Sequence, residues 1–470
     1  MSNKFYVTTP IYYVNDVPHI GHAYTTLAGD ILARYYREKL GKENVFFLVG
    51  TDEHGQKVAQ AAEEHKKTPK EYADSVAPRF EDAWKLLNIN YDYFIRTTNL
   101  EHEKIVTDLL QKIYDNGYIY EGVYEGLYCV GCEAFKTENE IVNGKCPLHP
   151  NKNLVHQKEK NYFLKLKELA PTILKKIENK EYGILPPKRE HEILSRIILG
   201  VEDISISRAG VSWGIPVPWD KSQTIYVWVD ALINYYSATQ FVRGKGKFWP
   251  ADLHLVGKDI LWFHSVIWQA LLIAAGIKEL PKTIFAHGFF TIDGQKMSKS
   301  LGNVISPKQL VDRYGIDGAR YLIISAYAFG DDGDISISRF DEKFNADLAN
   351  GLGNLIARVS TLAQNSKFKF PTTKQNSDPD IDIFLTNCQF DKSFDSIWAK
   401  IKELDTLINE KKVWELKGKE LEKILEFLVN DIRQIAIDLK PFLPETAEKI
   451  EKQFKGPIIK KGEPLFPRLK

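Results

Sequence analysis

Two short strings hold most of the chemistry that this sequence can offer: His19-Ile20-Gly21-His22 near its start and Lys296-Met297-Ser298-Lys299-Ser300 far downstream. The two histidines are three residues apart, so a helix that begins here sets both imidazoles on one face of its N-terminus. That end of a helix offers unpaired N–H groups and the positive pole of the backbone dipole, which is where phosphate binds. Gly21 lets a purine or ribose come closer than any Cβ would allow. Lys296 and Lys299 follow Asp293-Gly294 in a loop that also holds Ser298, Ser300 and Gly302. Two ammonium groups on a mobile loop can close on a triphosphate and neutralise its equatorial and leaving oxygens. Such a displacement needs positioning and charge more than an enzyme nucleophile. Singly, paired histidines are often helix caps and a Lys/Ser loop is often solvated surface. It is their joint presence, in this order, that points to a nucleotide.

A second constellation is Cys129-Val-Gly-Cys132 followed, after thirteen residues, by Cys146-Pro-Leu-His149. This two-plus-two spacing suits a tetrahedral Zn2+, and four protein ligands would make the ion structural, since catalytic sites keep a position open. His156 is an alternative fourth ligand at a poorer spacing. With only Cys388 left over, the cysteines make a poor disulfide framework and suit a reducing compartment.

The elements that must position these groups follow from pattern. Lys4 to Thr9 reads as a short buried strand, His19 to about Lys39 as a helix stopped by Gly41, and Asn44 to Gly50 as an apolar strand. Strand, loop, helix and strand are the grammar of a parallel sheet. A helical pattern of Ile105, Val106, Leu109, Leu110 and Ile113 closes at Gly117, after which residues to about 225 lose this period and read as an insertion. Thr224–Asp230, Leu253–Gly257 and Thr283–Ala286 are strand-like, with a helix from Leu261 to Ala275. Ser306-Pro307 caps and starts another helix, and from about 341 the pattern is helical apart from a polar loop near 365–380. The fold class is therefore α/β, a split Rossmann-type parallel sheet with an inserted zinc-knuckle connective domain and a C-terminal helical bundle.

Composition sets the class without choosing the partner. Hydrophobic residues at 44%, charged at 27% and aromatic at 12% describe a folded globular chain. A net charge of +1 neither favours nor excludes nucleic acid, because a neutral protein can still carry a basic face. No apolar run is long enough to span a bilayer and the opening residues lack the build of a signal peptide, so a cytoplasmic location is expected.

With Tyr6-Val-Thr-Thr-Pro-Ile-Tyr-Tyr-Val-Asn15, Gly50-Thr-Asp-Glu-His-Gly55, Tyr226-Val-Trp-Val-Asp230, Gly257-Lys-Asp259 and Lys296-Met-Ser-Lys-Ser-Leu-Gly-Asn303, the chain resembles the class I aminoacyl-tRNA synthetases, and within them the methionyl-tRNA synthetase family. The resemblance implies ATP (with Mg2+) attacked at its α-phosphate by methionine, and transfer of methionyl to tRNA(Met). By position it implies His19, Gly21, His22, Gly257, Asp259, Lys296 and Lys299 for ATP, with His19, His22, Lys296 and Lys299 catalytic. For methionine it implies Ile11, Tyr13, Asp52, Trp228, Leu232, Tyr235, Phe263 and His264, with Arg208 at the border. Asp52, at a strand's carboxyl edge, would take the ammonium; alone it is equally a turn or cap residue. A thioether has no strong hydrogen-bonding handle, so aromatic walls are expected. Asn354, Arg358 and Trp414 fall where the family reads the anticodon, a task suited to stacking rings and forked donors. Trp414 also fits the core of an amphipathic helix, and Trp398 fits a core better.

The implied domains are 1–99 and 226–289 as two halves of the catalytic sheet, 100–225 as connective insertion with the knuckle at 129–149, 290–340 as the lysine loop and stem-contact region, and 341–470 as the anticodon domain. Family members often dimerise through a C-terminal extension that does not follow Lys470, so a monomer is expected, with one structural zinc and no membrane. Synthetases for cysteine, leucine, isoleucine or valine, a small-molecule nucleotidylyltransferase and a non-catalytic tRNA-binding relative are the competing readings. There is no room for a large editing domain, the cysteine enzyme uses zinc in its active site, a nucleotidylyltransferase needs no helical bundle, and both chemical strings are intact.

Overall fold

In the computed structural model the apolar run after Asn44 becomes the strand Val45–Asp52, buried along its whole length, as expected for a strand covered on both faces of a parallel sheet. It lies between Tyr93–Arg96 and Phe5–Thr8, and the order continues through Leu253–Gly257, Thr283–His287 and Gly183–Leu185. Phe5–Thr8 pairs in parallel with both its neighbours. Tyr12–Tyr13 adds to the end of the central strand, Tyr13 opposite Asp52. The chain works outward in one direction from Phe5–Thr8 and in the other from Leu253–Gly257, so these adjacent strands form the switch point at whose carboxyl ends such sheets bind ligands. Residues 3–131, 134–136, 140–147, 149–297, 302–373 and 375–469 are described, without the side chains of 124, 134, 135, 157 and 296.

The chain divides into two compact units. The first is Met1–Val17, Glu43–Asp82 and Tyr91–Ala286; the second is Pro18–Lys42, Ala83–Asn90 and His287–Lys470. The helix Ile20–Leu40, read in sequence as part of the first sheet half, belongs to the second unit.

In the first unit, Tyr6, Phe46, Leu48, Val229, Trp268 and Leu271 join one apolar core. The expected strand over Thr224–Asp230 is corrected: a strand Asp220–Ile225 ends there and a helix, Val227–Phe241, begins. A short apolar run does not distinguish strand from helix by its period; here the Tyr226 N–H donates to the Ile206 carbonyl and the chain turns into the helix behind it. The expected helix near Leu261 opens into a π-helical turn, Phe263–Ile267, before Trp268–Ala274. The 100–225 stretch is not wholly an insertion either, since Gly183–Leu185 pairs in parallel with Thr283–His287. Its remainder includes a ribbon of Ile119–Cys129 against Val155–Leu164, with Ala134–Lys136 at the tip.

In the second unit, Ile20–Leu40 runs 21 residues and ends at Gly41, whose φ of 87° only glycine adopts readily. Asp30, inside this helix, meets Arg320 at 2.8 Å with both side chains fully buried. Arg34 Nε and the Asn90 N–H also donate to Asp30. Arg320 further donates to the carbonyls of Phe442, Leu87 and Pro441, so this buried charge is compensated on every side. Pro307–Ile324 starts with the expected Ser306 cap, which Gln309 completes into a capping box. Beyond it, Asn354–Ser366, Phe390–Glu410, Gly418–Leu439 and Pro444–Phe454 form a helical bundle, with Phe394, Ile397, Ile401, Leu404 and Ile408 of one helix buried at three- and four-residue intervals.

Candidate functional site

In the second unit the two strings meet. The N–H of Ile20, first residue of its helix, donates to the Ile305 carbonyl at 2.9 Å, and the methyl carbon of Met297 lies 3.8 Å from where a Cβ on Gly21 would stand. The lysine string leaves a hairpin of Phe290–Ile292 and Gln295–Lys296, turned by Asp293 and Gly294, both at positive φ. Asp334 fixes that turn by accepting from the Gly294 N–H and the Thr291 hydroxyl. Lys296 thus ends a strand, while Ser298, Lys299 and Ser300 lie outside the described residues.

The imidazoles of His19 and His22 stack at 3.8 Å. His19 Nδ1 accepts from the Gly21 N–H, and His22 Nδ1 accepts from the His19 N–H. A ring nitrogen that accepts cannot carry the proton of a neutral imidazole, so the hydrogen bonds assign both rings the Nε2–H form. Enclosure, with the neighbouring His19, holds His22 well below its ordinary pKa. His22 therefore presents a neutral donor, not a cation. Gly21 serves first to admit the folded-back ring of His19, which would stand 2.9 Å from a Cβ.

The first unit holds the residues expected around an amino acid. Asp52 is buried at the end of its strand. Trp228 and Phe263, both half-buried, stack at 4.3 Å and 14° at the edge of the apolar core. Phe263 sits on the π-helical turn, a feature frequent at functional sites. Next to it His264 Nδ1 donates to the Ile260 carbonyl at 3.0 Å, so its Nε2 accepts the Tyr235 hydroxyl at 2.7 Å. Burial lowers His264 to about 4 and raises the Tyr235 phenol, keeping both neutral. Leu232 is buried on the same helix as Tyr235. Tyr13 is half-buried with the Lys57 ammonium 4.7 Å above its ring, and Ile11 lies at the end of the loop before it. Gly257 closes its strand and Asp259 is exposed in the short turn after it. Arg208 is buried with its guanidinium 4.0 Å from the Tyr226 ring, donating to Ser205 and Ser207.

Sequence reasoning missed the polar groups behind these residues. His54 Nδ1 and His102 Nε2 each lie 2.8 Å from one oxygen of buried Asp230. His254 donates to Thr8 and accepts from Trp268 beneath the Tyr235 ring. His54 and Asp230 stood inside quoted strings; nothing local marked His102 as their partner.

On the ribbon, the ligand atoms of Cys129, Cys146 and His149 lie within 4.8 Å of one another. His149 Nδ1 is 3.8 Å and 4.0 Å from the two sulfurs. Gly131 is required there, since a Cβ would stand 2.4 Å from the His149 ring. Two thiols and an imidazole nitrogen converging in this way fit a metal ion of the zinc type. Cys132 lies outside the described residues. His156 is exposed and faces Glu125, away from this cluster's ligand set.

In the bundle, Asn354 and Arg358 share one face of their helix, Asn354 exposed. Arg358 pairs with Asp405 and donates to Asn409. Trp414 stands in a turn between helices, 54% exposed, which excludes a core role. Trp398 is half-buried and donates to the Tyr321 hydroxyl at 2.6 Å.

The family described as tRNA synthetases class I (M) matches residues 5–153 and 138–360. The methionine–tRNA ligase of Caldanaerobacter subterraneus is 40% identical over 510 aligned positions, covering 100% of this chain and 79% of that protein. That of Thermotoga maritima is 41% identical, covering 99% and 80%. The Mycobacterium tuberculosis methionyl-tRNA synthetase solved with methionyl-adenylate superposes with a TM-score of 0.90 at 32% identity, covering 99% of this chain and 100% of that one. No helix among the described residues is long and apolar enough to cross a membrane.

Proposed function

The chain belongs to the class I aminoacyl-tRNA synthetases, in their methionine branch, and from that premise we propose how its residues divide the work. The activity is that of a methionine–tRNA ligase. Methionine and ATP give methionyl-adenylate and pyrophosphate, and methionyl then passes to the 3′-terminal ribose of tRNA(Met). In the first step a methionine carboxylate oxygen bonds to the α-phosphorus as the bond to pyrophosphate breaks.

On the phosphate side, His19 and His22 donate from Nε2–H to ATP oxygens at a helix N-terminus, and Gly21 lets the two rings fold there. Lys296 and Lys299 neutralise the charge that builds on the departing pyrophosphate, acting more on the transition state than on bound ATP. Asp259 takes the ribose, and Gly257 leaves room for it. ATP enters as its Mg2+ complex. On the amino-acid side, Asp52 holds the ammonium, Ile11 contributes backbone, and Tyr13, Trp228, Tyr235, Phe263 and His264 wall the thioether, with Leu232 adding apolar bulk. A neutral Tyr235–His264 pair suits that uncharged group, because an imidazolium would call for an anion. Asn354, Arg358 and Trp414 read the anticodon. Cys129, Cys132, Cys146 and His149 would hold a Zn2+, which would supply stability to this segment and no chemistry. The enzyme is taken to work in the cytoplasm as a monomer.

The observation that most supports this division is the hydrogen bond from Ile20 to Ile305, with Met297 against Gly21: two strings almost three hundred residues apart in sequence come to one place. Amino-acid-dependent exchange of labelled pyrophosphate into ATP tests it. Exchange with methionine that His22→Ala and Lys299→Ala both abolish is expected; exchange undiminished in either variant would remove that residue from the assignment.

A further inference from the structure

The carboxylate of Asp230 is 2% exposed on a helix whose next turns carry Leu232 and Tyr235, and whose first turn carries Trp228. Each of its oxygens faces an imidazole nitrogen at 2.8 Å, Oδ2 toward His54 Nδ1 and Oδ1 toward His102 Nε2. His54 lies two residues beyond Asp52. His102 lies on the helix Leu100–Asp115, and its other nitrogen is 2.6 Å from the hydroxyl of Ser237, seven residues beyond Asp230 on the pocket helix. Three separate segments are thus tied at one buried point.

The far side of Asp52 is tied as firmly. Glu53, fully buried in its side chain, accepts two hydrogen bonds from Arg96 at 2.6 and 2.9 Å, one from Thr51 and one from Thr98, and its N–H donates to Thr97. Trp213 closes the segment by donating from its indole to the Glu53 carbonyl, while its own carbonyl accepts from the Gly55 N–H. Buried ion pairs are retained at a desolvation cost, and one well-attested use is to fix register where apolar packing alone would allow slippage. We propose that Asp230, through His54 and His102, is a positioning residue that sets the distance between the Asp52 carboxylate and the aromatic wall on the Val227–Phe241 helix, and so sets affinity for methionine.

This inference rests on the assignment of Asp52 and that helix to the amino acid. Burial works against charge in this cluster, but the hydrogen bonds from His102 and His54 outweigh it and hold Asp230 below the usual carboxylate range. His54 is raised because the Asp230 bond and charge, with Glu103 and Glu53, outweigh its burial. An ion pair of this kind is directional, and replacing the carboxylate by an amide keeps the volume while weakening both bonds.

The test is steady-state pyrophosphate exchange on the full chain. Asp230→Asn is expected to raise the KM for methionine about 10-fold or more, the equivalent of about 1.4 kcal/mol, with kcat and the KM for ATP changed less than about 3-fold. His102→Gln, whose amide can donate where Nε2 does, should keep the methionine KM within about 3-fold, whereas His102→Leu should raise it as Asp230→Asn does. If Asp230→Asn does not fold, the His102 pair decides the matter. Methionine and ATP KM values rising together, or a lower melting temperature with no change in either, would overturn the proposal. Asp52→Asn separates it from its premise: no effect of that variant on methionine KM sinks the pocket assignment, while a large effect there and none at Asp230 and His102 sinks only this inference.

Discussion

Replacing Trp414 by alanine should separate the two halves of the reaction. The indole stands 54% exposed in the turn between Phe390–Glu410 and Gly418–Leu439, so truncation leaves no cavity and should cost little stability, as most surface substitutions do. Trp398 is the contrast. It is half-buried, packs 5.3 Å from the Tyr321 ring and donates to its hydroxyl, so its loss disturbs the bundle itself. Stacking of one unpaired base on an aromatic ring is worth about 1–3 kcal/mol, which converts to roughly 5- to 150-fold in kcat/KM for tRNA charging. Because adenylate formation does not need the anticodon, pyrophosphate exchange should stay within about 2-fold. The assay is aminoacylation of a tRNA(Met) transcript beside exchange on the same preparation, with thermal unfolding as control. Equal losses in charging and exchange, or a fall in melting temperature to match that of Trp398→Ala, would refute the reasoning.

Lys299→Ala should retain methionine binding while adenylate formation falls by about 100-fold or more, the scale of losing one transition-state donor; an equal loss of methionine affinity would contradict the assignment. Cys146→Ser should lower bound zinc from about one per chain to none, measured by elemental analysis, and destabilise the ribbon of Ile119–Cys129 and Val155–Leu164 to proteolysis; unchanged metal content would exclude the knuckle. Acid should unfold the protein earlier than carboxylates alone require. His264 and His287 are buried and lowered to about 4, while an unfolded histidine titrates near 6.5. The unfolded chain therefore binds more protons between these values, and stability present above about pH 6.5 is lost as pH falls toward about 4. His264→Gln and His287→Gln should flatten that loss, and an unchanged pH profile of the urea midpoint would count against it.

Short-range pattern carried a good deal of this protein. The helical pattern from His19 to about Lys39 and its stop at Gly41 match the helix Ile20–Leu40, and the apolar run after Asn44 is the strand that the flanking βαβ grammar calls for. Cysteine spacing likewise put Cys129 and Cys146 beside an imidazole. These features depend on residues within a few turns of each other, and local backbone geometry is enough to express them.

What the sequence left open needed partners from far along the chain. Val227 to Asp230 has the composition of a strand, yet it opens a helix whose Asp230 is met by His54, 176 residues away, and His102, 128 away. His149 rather than His156 joins the sulfurs, because the ribbon carries His156 outward toward Glu125. In sequence Trp398 is the better core candidate and Trp414 stays open; the fold leaves Trp414 largely exposed in a turn and packs Trp398 against Tyr321. Even the protons on His19 and His22 are set by which backbone N–H each ring meets when the helix closes. Spacing along the chain determines which groups can share a helix face or a strand edge. Burial, tautomer and ion pairing depend on what packs against that face, and only the folded chain decides this.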